Sequence, residues 1–334
     1  MKNPKVSIII LNYNGLRFLE ACFASIKNQT YKNIETILVD NASDDESCEY
    51  VRKFDWVKLV CNDKNYGYAE ANNLATEQAS GEFLLFLNND TEVFPDMVEK
   101  LIESYEEKTI VSPEQILLVN KENGKGGMAG VGVDVFGYAY GTKPKETRVF
   151  FADGAAIFIR KKDFVELGMF DAKLFMFQED IDLSWRAQLM EYKIVSCWQA
   201  KFYHYGGGSI TGGAVKDRKE NYQISYYRYY LSERNTLRNI LKNYSWLFLI
   251  IILPSFFLIK FLEILFLLFI LKFRVVRCYF NAYYWNIVNF GDTLRYRRQI
   301  QAKRKIGDWQ LFKKMYWSYA KLKALYLLGL PKFK

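Results

Sequence analysis

Val6–Gly15, VSIIILNYNG, is the stretch from which the rest of the chain is read. Val6 to Leu11 is apolar and largely β-branched, and it stops abruptly at Asn12-Tyr13-Asn14-Gly15. A short apolar run ended by a turn signal reads as a buried strand. Immediately afterwards the period changes, with Leu16, Leu19, Phe23 and Ile26 at helical spacing. Further strands are predicted at Ile34 to Val39, Val57 to Cys61 and Gly81 to Leu87. Helices are predicted at Tyr68 to Ala79 and through Met97 and Ile102. Strands alternating with helices of this length imply βαβ units with right-handed crossovers around a mostly parallel sheet.

In such a sheet, ligands bind beyond the carboxyl ends of the strands. The residues at those ends are Asn12 and Asn14 after strand one and Asp40-Asn41 after strand two. Asn62, Asn65 and Gly67 follow strand three, and Asn88-Asn89-Asp90 follow strand four. Together they define a polar crevice of nucleotide size. Neither GxGxxG nor GxxxxGK[ST] occurs, which removes the main support for dinucleotide-fold and P-loop readings. A diphosphate there needs another neutralising group. A divalent ion on a carboxylate serves, because Mg²⁺ and Mn²⁺ prefer oxygen ligands and bridge phosphates.

Downstream the pattern is looser. Gly124 to Gly141 holds seven glycines and reads as loop or short hairpins. Ala155 to Ile159 and Lys193 to Cys197 read as short strands, Glu179 to Met190 as a helix, and Gly206 to Gly213 as a loop able to close over a donor. From Trp246 to Leu271 the chain is almost wholly apolar, interrupted by Lys260 and Glu263. It is long enough to cross a bilayer once, although Pro254 and the two charges suit a helical hairpin equally. Residues 272–334 carry 15 Lys and Arg against two acids, while the whole chain is +9, so a mildly acidic body bears a basic, aromatic tail. That tail is expected on a membrane surface, with a soluble core helix and nucleic-acid binding as competing uses. A single candidate span argues against a transporter. The five scattered cysteines contain no CxxC and suit a reducing compartment.

Seven stretches in order carry a family resemblance: VSIIILNYNG, ILVDNASDDES, NYGYAEANN, GEFLLFLNNDTEV, GAAIFIRK, ELGMFDAKLFMFQEDIDLSWR and FYHYGGGS. Over about residues 5 to 210 the chain resembles family 2 glycosyltransferases, in particular the bacterial rhamnosyltransferase-like branch with the GT-A fold. The resemblance implies a GT-A domain over residues 1–238, and the apolar, basic composition beyond it is read as a helical membrane-associated region over 239–334. It implies an inverting transfer of one sugar from a nucleoside-diphosphate sugar to a lipid-linked or surface-polysaccharide acceptor, at the cytoplasmic face of the inner membrane.

The resemblance also assigns roles. Asp40 is expected at the base or ribose, against a turn or helix-cap reading. Asn88-Asn89-Asp90 stands where the family has DxD, so only Asp90 offers a carboxylate to the Mg²⁺ or Mn²⁺ ion. His204, the single histidine, is the second expected metal ligand; the alternatives are acceptor binding or packing. Asp180 is the expected base, with Glu179 orienting the acceptor, against the reading that these acids only favour a helix N-terminus. Asp153 and Gly154 are expected near the donor sugar. Asp182 and Arg186, at i and i+4, are expected to form a structural ion pair. The absence of QxxRW favours single transfer over polymerisation. A sugar nucleotidyltransferase and a non-catalytic scaffold on the same fold are the competing functions. Nucleic acid is not an expected partner, and an oligomer stays open.

Overall fold

The computed structural model describes residues 3–117, 128–140, 149–206 and 223–334. The N-terminal half alternates as expected: β1 (Val6–Asn12), α1 (Leu16–Lys27), β2 (Ile34–Asp40), α2 (Ser47–Val51), β3 (Val57–Cys61), α3 (Gly67–Gln78) and β4 (Phe83–Asn88). There follow β5 (Thr91–Val93), α4 (Met97–Glu103), β6 (Thr109–Leu117), β7 (Met128–Ala129), and a small pair, β8 (Gly132–Val133) and β9 (Ala139–Tyr140). Next come β10 (Ala156–Arg160), α5 (Lys161–Glu166), α6 (Glu179–Leu189) and β11 (Lys193–His204). Among the described residues, nine strands make one sheet in the order β3-β2-β1-β4-β10-β6-β11-β5, with β7 beside β6.

Strands β3, β2, β1 and β4 are parallel, and β10 runs antiparallel between β4 and β6. On β1, Ile8 and Ile10 pack on one face with Phe23 and Phe83, while Ile9 packs on the other with Ile37 and Phe86. Helices cover both faces, which is why these strands read as continuous apolar runs rather than alternating ones. Register then aligns the strand ends: Asn12 stands opposite Asp40, and Leu11 opposite Asn88.

One strand is longer than expected. Beyond Cys197, β11 bulges and continues to His204, where it pairs antiparallel with β5. A Gly206-containing loop was expected next; residues 207–222 lie outside the described residues.

The rest is helical: α7 (Tyr226–Asn243), α8 (Trp246–Phe269), α9 (Phe273–Val288), α10 (Phe290–Lys303), α11 (Asp308–Phe312) and α12 (Ala320–Leu328). Two short strands, β12 (Gln223–Ile224) and β13 (Lys332–Phe333), pair where the chain ends. The apolar stretch forms one continuous helix through Pro254, not a hairpin within itself. Ser245 caps it, accepting from the Phe248 N–H. The helices fold back on the sheet domain: Tyr244, Phe248, Ile252, Phe312 and Met315 share a core with Phe150, Trp185 and Leu237.

Candidate active site

Backbone pairing builds the site. β11 and β5 meet with His204 opposite Thr91, so His204 arrives beside Asp90, the residue before β5. The Tyr205 N–H donates to the Asp90 carbonyl at 3.0 Å, and His204 Nε2 lies 3.1 Å from Asp90 Oδ1. Both side chains are buried. Burial alone would lower the His204 pKa; the hydrogen bond and charge of Asp90 outweigh it and hold the imidazole above its ordinary value.

Between β4 and β10 the pairing is antiparallel, so the start of β10 meets the end of β4. The Asn88 N–H donates to Ala155 O at 3.0 Å, setting Asp153 and Gly154 just beyond Asn88. Against Gly154 lies the first turn of α6. Asp180 Oδ2 accepts from the Gly154 N–H at 3.1 Å, and Oδ1 accepts from the Ile181 N–H at 2.8 Å. A Cβ on Gly154 would stand 3.4 Å from that carboxylate, an ordinary van der Waals contact, so the close approach is made by the Gly154 backbone and does not depend on the missing side chain.

The acids here part in character. Burial, then the charge of Asp153, pushes Asp180 up to about 7. Glu179 is raised well above the carboxylate range by burial and by Asp180, and its Oε2 has no partner. Asp182 goes the other way: burial would raise it, but Arg186 and Lys242 lower it. It holds Arg186 Nε at 2.9 Å, the expected i, i+4 pair. Environments that drive neighbouring carboxyls apart mark acid–base sites.

One cleft of about 700 Å³ joins these groups. Asn65, Gly67, Asn88, Asn89, Asp153, Gly154, Glu179, Asp180 and His204 all line it. Asp90 sits directly behind His204 and is 1% exposed. Asn12 and Asp40 are also one layer back. Asn12 Nδ2 donates to Asp40 at 2.8 Å, Ser43 Oγ donates to Asp40 at 2.7 Å, and Asn89 Nδ2 donates to Asn12 at 2.7 Å. Asp40 thus aligns a chain of amides ending at the cleft. Asn14, expected at the donor, is exposed and does not line the cleft; it accepts from the Asp44 N–H at 2.9 Å.

The sequence reading placed Asn41 in the polar crevice beside Asp40 but assigned no role to a second part of the lining. Asn41, next to Asp40, faces the cleft and donates to the Gly67 carbonyl at 3.0 Å. A second wall comes from far downstream: Arg228, Tyr229, Ser232 and Glu233 of α7, and Lys321 of α12. An amphipathic helix pattern does not say which cleft a helix borders, so no local signal could have found them.

Among the described residues no cluster of three or more His, Cys, Asp or Glu forms a metal cage. Asp90 and His204 nevertheless fit a pair of adjacent ligands. Two neighbouring corners of an octahedron with bonds of about 2.1 Å are about 3.0 Å apart, close to their separation. His204 Nδ1 is buried and unpartnered. A two-residue site leaves the remaining positions to phosphate and water, which is how Mg²⁺ is commonly held.

Residues 7–168 match the profile of Glycosyl transferase family 2. Two curated relatives illustrate the match. The O-antigen biosynthesis protein RfbC of Myxococcus xanthus is 28% identical over 68% of this chain and 19% of its own length. The Escherichia coli UDP-Glc:alpha-D-GlcNAc-diphosphoundecaprenol beta-1,3-glucosyltransferase WfaP is 39% identical over 25% of this chain and 35% of its own. The chain spans less than half the length of the curated relatives it matches. A solved mannosyltransferase, PcManGT of Pyrobaculum calidifontis in complex with GDP-Man and Mn²⁺, aligns with TM-score 0.51 at 16% identity, over 72% of this chain and 64% of that one. At that identity the likeness shows the fold alone, the GT-A fold expected from the sequence.

Proposed function

We propose that this chain, which through residues 7–168 belongs to glycosyl transferase family 2, moves one sugar from a nucleoside-diphosphate sugar to an acceptor hydroxyl, with inversion at the anomeric carbon. The observation that carries this reading is the single cleft lined by Asn88, Asn89 and His204 together with Asp153, Gly154 and Asp180.

Nucleoside and diphosphate are assigned to the strand-end amides, Asn65, Gly67, Asn88 and Asn89, backed by Asn12 and Asp40. Asp90 and His204 would hold Mg²⁺ or Mn²⁺, which would neutralise the departing diphosphate. Asp153 and Gly154 would border the sugar. Asp180, with a pKa of about 7, takes the proton of the attacking hydroxyl, because its carboxyl is substantially ionised at neutral pH yet basic enough to accept. Its two backbone N–H partners, Gly154 and Ile181, fix its orientation before the acceptor arrives. Burial and the charge of Asp180 favour the neutral form of Glu179, which can donate a hydrogen bond to the acceptor.

The acceptor is proposed as lipid-linked or a surface polysaccharide, and the place of action as the cytoplasmic face of the inner membrane. The similarity to RfbC, an O-antigen biosynthesis protein, and to WfaP, a glucosyltransferase acting on a diphosphoundecaprenol-linked sugar, supports an envelope role of that kind. The helical part from residue 239 is proposed to face the membrane. Rhamnose is favoured as the sugar only by the family branch that the motifs resemble. Incubation with a panel of nucleotide-sugars and Mn²⁺, followed by mass spectrometry, tests the activity. The expected result is metal-dependent release of nucleoside diphosphate; pyrophosphate release from a nucleoside triphosphate and a sugar phosphate would assign a nucleotidyltransferase instead.

A further inference from the structure

Helix α8 has two faces with opposite surroundings. Phe248, Ile252, Phe256, Lys260 and Leu267 are buried, so contact with the body runs from one end of the helix to the other. Ile250, Leu258, Phe261 and Phe269 stand exposed on other sides, Phe269 at 84%. The two charges in mid-helix point inward. Lys260 Nζ lies 2.9 Å from Glu263, 3.3 Å from Glu233 on α7 and 2.6 Å from the Tyr319 hydroxyl. At the start of the helix, the Ser245 N–H donates to Asp308 at 3.1 Å.

This arrangement decides between crossing and lying flat. A helix of this length, 24 residues or about 36 Å, could span a bilayer. A spanning helix, however, has its ends in different aqueous phases. Here both ends and the middle pack against the same folded body, through apolar contacts at Phe248, Ile252 and Leu267 and ion pairs at Lys260, so a bilayer runs parallel to α8, on its exposed side. Exposed apolar side chains continue along α9 and α12, at Phe280, Ile287, Leu322 and Leu325. The same region carries exposed Lys272, Arg274, Arg277, Lys313 and Lys323, with Trp309, Trp317 and Tyr326. Cations and amphipathic rings around an apolar face match an anionic headgroup layer. A second copy docked through the same face would set those cations against each other.

The cleft reaches this face. Phe266 on α8, Leu325 on α12 and Leu330 line the cleft and are also exposed. Just inside, Lys321 is ion-paired with Glu233 and lies 3.8 Å from Glu263. That polar wall is charge-compensated, which suits the hydroxyls of an uncharged sugar better than a phosphate.

We propose that the apolar face of α8, α9 and α12 lies in the plane of one anionic leaflet without crossing it, and that a polyprenyl-linked acceptor enters the cleft from that leaflet between Phe266, Leu325 and Leu330. The entry route rests on the proposed transferase activity; the in-plane seat does not.

The test uses the full chain with Cys48→Ser and Cys61→Ser, since Cys22, Cys197 and Cys278 are buried. Nitroxides are placed singly at Trp246→Cys, Leu258→Cys and Phe269→Cys, and the protein is bound to phosphatidylcholine–phosphatidylglycerol vesicles. All three labels should sit at one shallow depth, about 5–10 Å into the leaflet. Reduction of any label by ascorbate trapped inside the vesicles, or all three remaining in water, overturns the seat. For the route, a diazirine-bearing polyprenyl phosphate in the same vesicles should label peptides within 264–271 and 320–334. Leu325→Asp with Leu330→Asp should cut that labelling, counted per vesicle-bound molecule, by about tenfold, because a chain entering there meets charge. Equal labelling of both proteins overturns the route. Neither readout requires sugar transfer, so loss of the enzymatic reading would show separately.

Discussion

At the scale of single residues, Asp180 faces two demands: it must be basic enough to take a proton and still ionised at working pH. Its pKa of about 7 meets both. Turnover should therefore fall about tenfold per pH unit below that value and level off above it. The same shift sets a stability trend. The folded state holds a proton that the unfolded chain releases, so this contribution is full below the ordinary aspartate range and is lost as pH rises through about 7. Asp90→Ala should weaken metal-dependent donor binding; calorimetry with and without Mn²⁺ checks this, and an unchanged titration reassigns the role. The strand-end residues were legible because a buried strand must stop where the polar crevice starts. That Asp40 and Asn12 stand one layer behind the cleft was not legible, since only side-chain packing decides which polar group faces the cavity.

At the scale of elements, α7 governs the acid loop. Asn235 Nδ2 donates to the carbonyls of Leu174, Met176 and Phe177 at 2.9, 3.0 and 2.7 Å, and Asn239 donates to Gln178 O at 3.0 Å. The loop needs such holding, because Phe175, Phe177 and Gln178 have φ of 65, 66 and 73°. Asn235→Ala should lower kcat by about tenfold to a hundredfold through misplaced geometry, with the donor KM little changed. One turn on, Arg238 is fully buried between Asp171 and Asp292, at 2.8 and 2.7 Å. Arg238→Ala should destabilise by about 3–5 kcal/mol, read by thermal or denaturant unfolding, because it strands buried charge. The polar residues of α7 recur at helical spacing, yet without the fold they are indistinguishable from a solvated face. The early βαβ elements were legible from local period alone. The extension of β11 to His204 was not, because a bulge after Cys197 breaks the alternation and only pairing with β5 restores it.

At the scale of the whole molecule, the division into a mildly acidic body and a basic helical tail was visible in composition. How the tail folds back was not, since that depends on contacts remote in sequence. Lys260 and Glu263, interruptions of an apolar run in the sequence, are the inward pins of α8 in the fold. Because Tyr244, Phe248, Leu311, Phe312 and Met315 complete the core around Trp185, removal of residues 239–334 should leave an aggregation-prone fragment. Size-exclusion chromatography checks this; a monomeric, donor-binding fragment would show that the sheet domain closes its own core. The central claim is that the Asp90–His204 side of the cleft and Asp180 act across one sugar. It is tested most directly by comparing the native chain with Asp180→Asn on its best nucleotide-sugar and Mn²⁺, following turnover, donor affinity and the anomeric configuration of the product by NMR. An inverted product, with turnover cut by about 10²- to 10⁴-fold in the variant at unchanged donor affinity, is the expected outcome. Retained configuration, or near-normal turnover in Asp180→Asn, would contradict it.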